Sequence, residues 1–434
     1  MKTSPKMNND ATVYMQNNWY SYYAGYADSF IKEAIDEYEK SFDNPTLLDP
    51  WNGSGTTTLV ASMLNLSCYG FDINPAMIVV SKAKLYDART LDFEHVQKQF
   101  FTISPSQLSE EEYSEDPLNT WFSLEALSAI RQVEEKIQNT TSISQKDRKL
   151  RRIKDICNID AISNKTCFLY LALFTTLKQF AKVFVGSNPT WIKSKNIEKL
   201  NVNISNVVSV YLSTIKNMKN EYSVGVNSQN IHLATGDSRN IPLKDSSIDM
   251  VITSPPYCTR IDYAIYTKIE LSLLGYSNHD IQNLRREMIG TPTIRKNIIY
   301  NDDSRNSQLL KISDCCFQVM NNISAHYSKA AKSYYYKTYA QYFSAMYLSM
   351  QEIFRVLSNN GIAVIVVQDS WFKDIYIDVP CIISEFGKSC GFSLLNRIDH
   401  FVKNNINYIN SKSRKYKNVK QTVESVIVLK KGDF

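Results

Sequence analysis

The sequence predicts a mixed α/β fold: one largely parallel sheet, interrupted by two insertions. Three observations carry this. Short apolar runs end in an acid at Asp49, Asp72 and Asp237. A glycine-rich turn follows the first of them and opens a helix-like stretch. Strand and helix patterns then alternate, break off, and resume far along the chain.

The elements follow in order. Residues 12–44 are aromatic and then amphipathic, with Phe30, Ile31, Ala34, Ile35 and Tyr38 at helical spacing. Thr46–Asp49 reads as a buried strand, Thr56–Leu64 as a helix, Cys68–Asp72 as a second strand and 75–86 as a second helix. Residues 87–229 turn polar, with helical stretches near 121–138 and 166–184. The rhythm resumes at Ile231–Ala234, and Ile248–Ile252 runs straight into Thr253-Ser254-Pro255-Pro256-Tyr257. A second irregular region spans about 258–335 and carries Arg285, Arg286, Arg295 and Lys296. After it come a helix over 339–357, a strand at Ile362–Val367, a helix near 378–390, a strand near 392–402 and a last strand at Val423–Leu429. The units are therefore 1–86, an insertion over 87–229, and 230–434 with its own insertion at about 258–335.

Composition narrows the function classes. The 434 residues are 44% hydrophobic with net charge +6, an ordinary globular balance with a mild basic bias that permits a polyanionic partner without requiring one. The 27 tyrosines offer faces for stacking, though Asn, Ile and Lys are also plentiful. Eight cysteines include no Cys-x-x-Cys pair, and no His cluster accompanies them, so no metal site is expected. No secretory signal or apolar run of ~18–20 residues is evident, which points to a cytoplasmic protein with reduced thiols. The basic stretches Lys146–Lys154 and Lys412–Lys420 read as solvated faces.

The turn Asp49-Pro50-Trp51-Asn52-Gly53-Ser54-Gly55-Thr56-Thr57 occupies the place where open α/β sheets bind ligands. Its glycines let a ligand approach the backbone, and the helix N-terminus presents free N–H groups to a carboxylate. Thr58 stands where a dinucleotide fingerprint needs a third glycine, and no Gly-Lys-Ser/Thr follows. Asp72 is placed to accept from ribose hydroxyls and Asp237 from an adenine amine. In the second loop the two prolines fix φ and donate nothing, so carbonyls are left as acceptors beside the Ser254 hydroxyl and the Tyr257 ring. Acceptors aimed at the hydrogens of an exocyclic amine free its lone pair for attack, without a covalent intermediate. Cys258 is not needed as a nucleophile. Arg260 and Asp262 are suited either to an ion pair that orders the loop or to contact with phosphate; Gln368–Trp371 and Ser187–Trp191 either border the target site or pack structurally.

Together these residues resemble the DNA amino-methyltransferases, the cytosine-N4 and adenine-N6 enzymes. Asp49–Thr57 looks like their cofactor motif, with Trp51 for Phe, and Thr253–Tyr257 like their catalytic motif, in the serine form more typical of cytosine-N4 enzymes. The resemblance covers about 1–86 and 231–434. It implies a Rossmann-like S-adenosylmethionine-dependent methyltransferase fold. The cofactor would be held by Tyr23, Asp49, Trp51, Gly53, Gly55, Thr56, Asp72, Asp237 and Thr253. Ser254, Pro255, Pro256 and Tyr257 would be catalytic. Tyr23–Phe30 would be the helix that holds the methionine part. The order of the motifs implies target recognition by 87–229, a role that the insertion carrying Arg285 to Lys296 could share or replace. The resemblance implies double-stranded DNA as partner, with a cognate restriction endonuclease as a further candidate. Methyl transfer to cytosine N4 is the favoured reading and transfer to adenine N6 the runner-up; a methyltransferase of structural RNA and a non-catalytic binding protein are the other competing readings.

Overall fold

A computed structural model describes residues 3–5, 15–22, 25–103, 107–141, 152–186, 191–222, 225–258, 261–294, 311–402 and 422–432. Its strands are β1 (Thr46–Asp49), β2 (Ser67–Asp72), β3 (Ile231–Thr235), β4 (Ile248–Thr253), β5 (Leu357–Gln368), β6 (Ser370–Phe372), β7 (Ile375–Ile377), β8 (Phe392–Val402) and β9 (Thr422–Lys431). Seven form one sheet in the order β3-β2-β1-β4-β5-β9-β8, and β6 and β7 form a separate hairpin. The first five are parallel, whereas β9 runs antiparallel to both β5 and β8. The expected mixed α/β sheet is therefore present, and its chain order reverses between β1 and β4. That reversal opens a crevice beyond the strand carboxyl ends.

The main helices are α1 (Asp28–Tyr38), α2 (Thr56–Met63), α3 (Pro75–Lys84), α4 (Leu124–Thr140), α5 (Asn164–Ala181), α6 (Ile204–Asn220), α7 (Asn278–Glu287), α8 (Asp314–Ala325), α9 (Tyr336–Val356) and α10 (Val379–Cys390). Both faces of the sheet are covered, as its continuous apolar strands require. Leu47, Met250, Ile252, Val364 and Val366 pack with α1 and α2. Their strand neighbours Leu48, Val251, Ala363, Ile365 and Val367 pack with α8, α9 and α10. The period-2 alternation of side chains divides each strand between two cores.

The helices of 87–229 have no core of their own. Ala76, Val79 and Val80 of α3 share one cluster with Ile130, Phe168, Leu171, Tyr211 and Ile215. Arg131, 1% exposed, seals this junction. It pairs with Asp116 and Glu134 and donates to the carbonyls of Leu273 (2.8 Å) and Ser272 (3.3 Å). A buried guanidinium is tolerable only when its donors are satisfied in this way.

Two expectations need correction. Asn164–Phe184 does meet the length and mean-hydropathy criterion for a membrane-crossing helix, but 67% of its apolar window is buried in the fold. The apolar residues missed as a run are those that fill the cluster on α3. Cys315 and Cys381, expected as reduced thiols, are joined by a disulfide between α8 and α10, two helices that pack together beside the sheet.

Candidate active site

A cavity opens at the β1/β4 crevice. Tyr22, Tyr26, Trp51, Asn52, Gly53, Ser54, Thr56, Asp72, Asp237 and the Ser254–Tyr257 loop all line it. So the structure brings the glycine turn, two strand-end acids and the proline loop to one place. Tyr23 lies outside the described residues.

The glycines serve close approach. Gly53 has φ +49°, and a Cβ there would come within 3.1 Å of the Tyr22 ring. Gly55, at φ +82°, is the residue before α2, and a Cβ would lie 2.4 Å from that of Ser81. No L side chain fits there without movement of α3.

Asp49, Gly55 and Thr253 are not among the residues that line the cavity; they stand behind those that do. Asp49 is fully buried. Its carboxylate accepts from Thr57 Oγ1 (2.6 Å), Thr253 Oγ1 (2.5 Å), Tyr26 (3.3 Å) and the Trp51 N–H (3.1 Å). Burial raises its pKa, and the hydrogen bonds from Thr253 and Thr57 oppose that rise. This acid ties together β1, α2, β4 and the segment just before α1.

Asp72 is built differently. The N–H groups of Gly53 and Asn74 each donate to one of its oxygens at 2.8 Å. The remaining lone pairs are available to the cavity that Asp72 lines. Burial pushes its pKa up to about 6, against the pull of those two N–H groups.

The proline loop is held from outside. Ser254 Oγ donates to the Val366 carbonyl of β5 at 3.2 Å. The buried Tyr342 hydroxyl donates to the Pro256 carbonyl at 3.1 Å, and the Tyr257 N–H donates to the Tyr263 hydroxyl at 3.2 Å. Ser370 Oγ donates to the Cys258 carbonyl at 3.4 Å, and Asp369 accepts from the Val423 N–H at 3.1 Å. Gln368–Trp371 therefore brace the loop and are not part of the cavity lining. Asp262 pairs with Arg285 of α7, while Arg260 lies outside the described residues.

Sequence reading missed Tyr22, Tyr263, Glu287, Met288 and Ile289, all of which line the cavity. The last three belong to the second insertion, which folds back over the loop; a Cβ at Gly290 would lie 2.7 Å from the Tyr257 carbonyl. A glycine just after a helix capped by Ser277 and Asp280 was the available signal.

This fold and site define a Rossmann-like methyltransferase of the S-adenosylmethionine-dependent class. The cavity fits that cofactor: the buried Asn52 amide nitrogen and Trp51 indole N–H, both in lining residues, have no hydrogen-bond partner among the described residues. Asp72 supplies acceptors beside the aromatic walls. Known proteins agree. A DNA methylase family model matches residues 248–434. The type II methyltransferase M.BsoBI of Geobacillus stearothermophilus is 25% identical over 300 residues, covering 63% of this chain but only 55% of the relative. M.AvaI of Nostoc sp. is 23% identical over 87% of this chain and 79% of its own length, and M.MvaI of Kocuria varians 27% over 79% and 74%. Over these stretches the chain is similar to DNA amino-methyltransferases, and the similarity supports S-adenosylmethionine as the cofactor.

Proposed function

We propose that this protein methylates the exocyclic N4 amine of cytosine in double-stranded DNA. The observation that carries the reading is the Ser254 hydroxyl. Its proton is committed to the Val366 carbonyl, so lone pairs are what it offers to a ligand in the cavity. Among the described residues, no hydrogen bond ends on the Pro255 carbonyl beside it. Two acceptors then meet the two hydrogens of an amine, favour its pyramidal form and free its lone pair. The bound cofactor supplies the electrophilic methyl group. Tyr257 offers a face on which an extruded base stacks, with its N–H pinned by Tyr263.

The match to a DNA methylase family model supports DNA as substrate, and a cognate restriction endonuclease is proposed as a further partner. The 87–229 segment, welded to α3, is proposed to read the target sequence, with the protein working in the cytoplasm. Duplex DNA incubated with the protein and labelled cofactor, then digested to nucleosides, identifies the product. N4-methylcytosine supports the reading; N6-methyladenine overturns the base assignment; transfer only to structural RNA overturns the substrate. Ser254→Ala is expected to lower the transfer rate about 10²–10³-fold with cofactor affinity unchanged, the usual loss for one positioned charge-stabilising contact. An equal fall in affinity would refute the assigned role.

A further inference from the structure

The stretch from Cys315 to Gln351 contains no Asp or Glu, in a chain where 43 of 434 residues are acidic. Within it lie Lys329, Lys332 and Lys337, close in sequence to a run of three tyrosines, Tyr334–Tyr336. All three lysines are exposed, and none of their ammonium groups makes an ion pair or a hydrogen bond among the described residues. Cations on an ordinary solvated face are interspersed with acids. Within this stretch no acid offsets the positive charge, which makes it the complement of a polyanion.

The segment that carries the lysines has an unusual backbone and a fixed place. Ala330 has φ +65°, a left-handed conformation disfavoured for a residue with a Cβ. It leads into a π-helical turn, Ala331–Tyr335, which continues into α9. Such features persist where surrounding contacts hold them, and both are frequent at functional sites. Upstream, the Ser328 N–H donates to His326 Nδ1 at 3.0 Å, so the opposite nitrogen, Nε2, donates to Asp374 of the β6–β7 turn at 2.8 Å. Downstream, the Tyr334 hydroxyl donates to the Pro292 carbonyl at 2.6 Å, Gln341 to the Thr293 carbonyl at 3.4 Å and Tyr342 to the Pro256 carbonyl at 3.1 Å. The first two acceptors follow Gly290, where the second insertion crosses the proline loop, and the third belongs to that loop. Lys337 and Tyr342 share α9, roughly 7–8 Å apart along its axis. The cations are therefore mounted on the element that braces the catalytic loop.

We propose that Lys329, Lys332 and Lys337 grip the phosphate backbone of the DNA beside the extruded base, without regard to sequence. The inference rests on reading the protein as a DNA methyltransferase, and it assigns to this surface the phosphate contacts alone. An ammonium on a flexible stem meets a phosphate oxygen as a point charge, so lysine suits the task. Phosphate contacts fix the register and orientation of a duplex and carry no sequence information. Placed on α9, they seat the duplex relative to the loop that receives the base.

The test is fluorescence anisotropy with two labelled duplexes of unrelated sequence, titrated with the full chain over a range of salt concentrations. Each phosphate contact releases counterions, so its loss lowers the slope of log affinity against log salt by about 0.9. Lys329→Gln, Lys332→Gln and Lys337→Gln combined should lower the slope by about 2–3 and weaken both duplexes alike, by about 10–100-fold at low salt. Arginine at the same three positions keeps the charges and should retain the slope. Affinity for S-adenosylhomocysteine should be unchanged in both variants. Lys388→Gln, on α10 outside the acid-free stretch, should leave the slope as it is. The three single Gln variants, each expected to lower the slope by about one, decide the matter if the combined variant does not fold. A combined variant that binds S-adenosylhomocysteine normally and keeps the full slope would overturn the proposal. So would a loss confined to one duplex, which is the mark of a base reader. Failure of the intact protein to bind either duplex would overturn the DNA reading itself, and the proposal with it.

Discussion

The carboxyl ends of β1 and β2 lie side by side, each closed by an aspartate, and the two acids have opposite surroundings. Around Asp49, three hydroxyls and an N–H converge, and no solvent reaches it. Around Asp72, two backbone N–H groups hold the carboxylate from behind, and its front lines the cavity. Position at a strand end does not assign a role. The donors that have already claimed the oxygens do, because a carboxylate filled by the fold has little left for a ligand.

Removing each acid should separate the two regions, and the largest effect is expected at Asp49. Asp49→Ala leaves the hydroxyls of Thr57, Thr253 and Tyr26 without their shared acceptor, at a cost on the order of 3 kcal/mol. Thermal unfolding of the ligand-free protein should show a drop of several degrees, and an unchanged midpoint would end the distinction. Asp72→Asn should do the reverse. Its folded pKa of about 6 lies above the ordinary carboxylate value, so the charged form is a burden on the empty fold. The midpoint should fall much less than in Asp49→Ala, because relief of the buried charge offsets the one backbone N–H that loses its acceptor, while cofactor affinity falls about 10–100-fold. A loss of stability matching that of Asp49→Ala would show that both acids are structural.

The smallest expected effect is one of pH. Between the unfolded carboxylate value and about 6, the folded protein holds the extra proton, so the Asp72 contribution to stability is full at low pH and is lost as pH rises through about 6. Ribose hydroxyls donate to the ionised form, so binding should run the other way. Affinity for S-adenosylhomocysteine should be about tenfold weaker at pH 5 than at pH 8, in line with the protonated fraction, and Asp72→Asn should flatten that slope. A slope surviving in the variant would assign the proton to another group.

Much of the sheet was legible because its strands are short, apolar and punctuated by acids or prolines. Helices α3, α5, α9 and α10 fall within a few residues of their expected bounds. Helix α6 was not read, although Val207, Tyr211, Leu212, Ile215 and Met218 bury one face. Its Asn and Ser residues and its β-branched valines weaken the local helical signal, and the packing on α5 overrides them. At the site, the motifs were visible because each is contiguous. Tyr22, Tyr263 and Glu287–Ile289 were not, because only tertiary folding brings them to the cavity. The distinction between Asp49 and Asp72 was equally hidden: the donors Thr253 and Tyr26 come from distant parts of the chain.

The strand order has a consequence for synthesis. β1 pairs with β4 through Leu47↔Met250 and Leu48↔Val251, across the whole of the first insertion. At ribosomal speeds of about 5–20 residues per second, the nascent β1–β2 pair waits roughly 10–40 s for that neighbour. During that interval the β1 edge presents unpaired backbone groups and apolar side chains that the finished sheet conceals. Helices α4, α5 and α6 emerge within it; α5 packs onto α3, and α4 and α6 pack on α5, so the first insertion can shelter one part of an incomplete protein while the sheet waits for its centre.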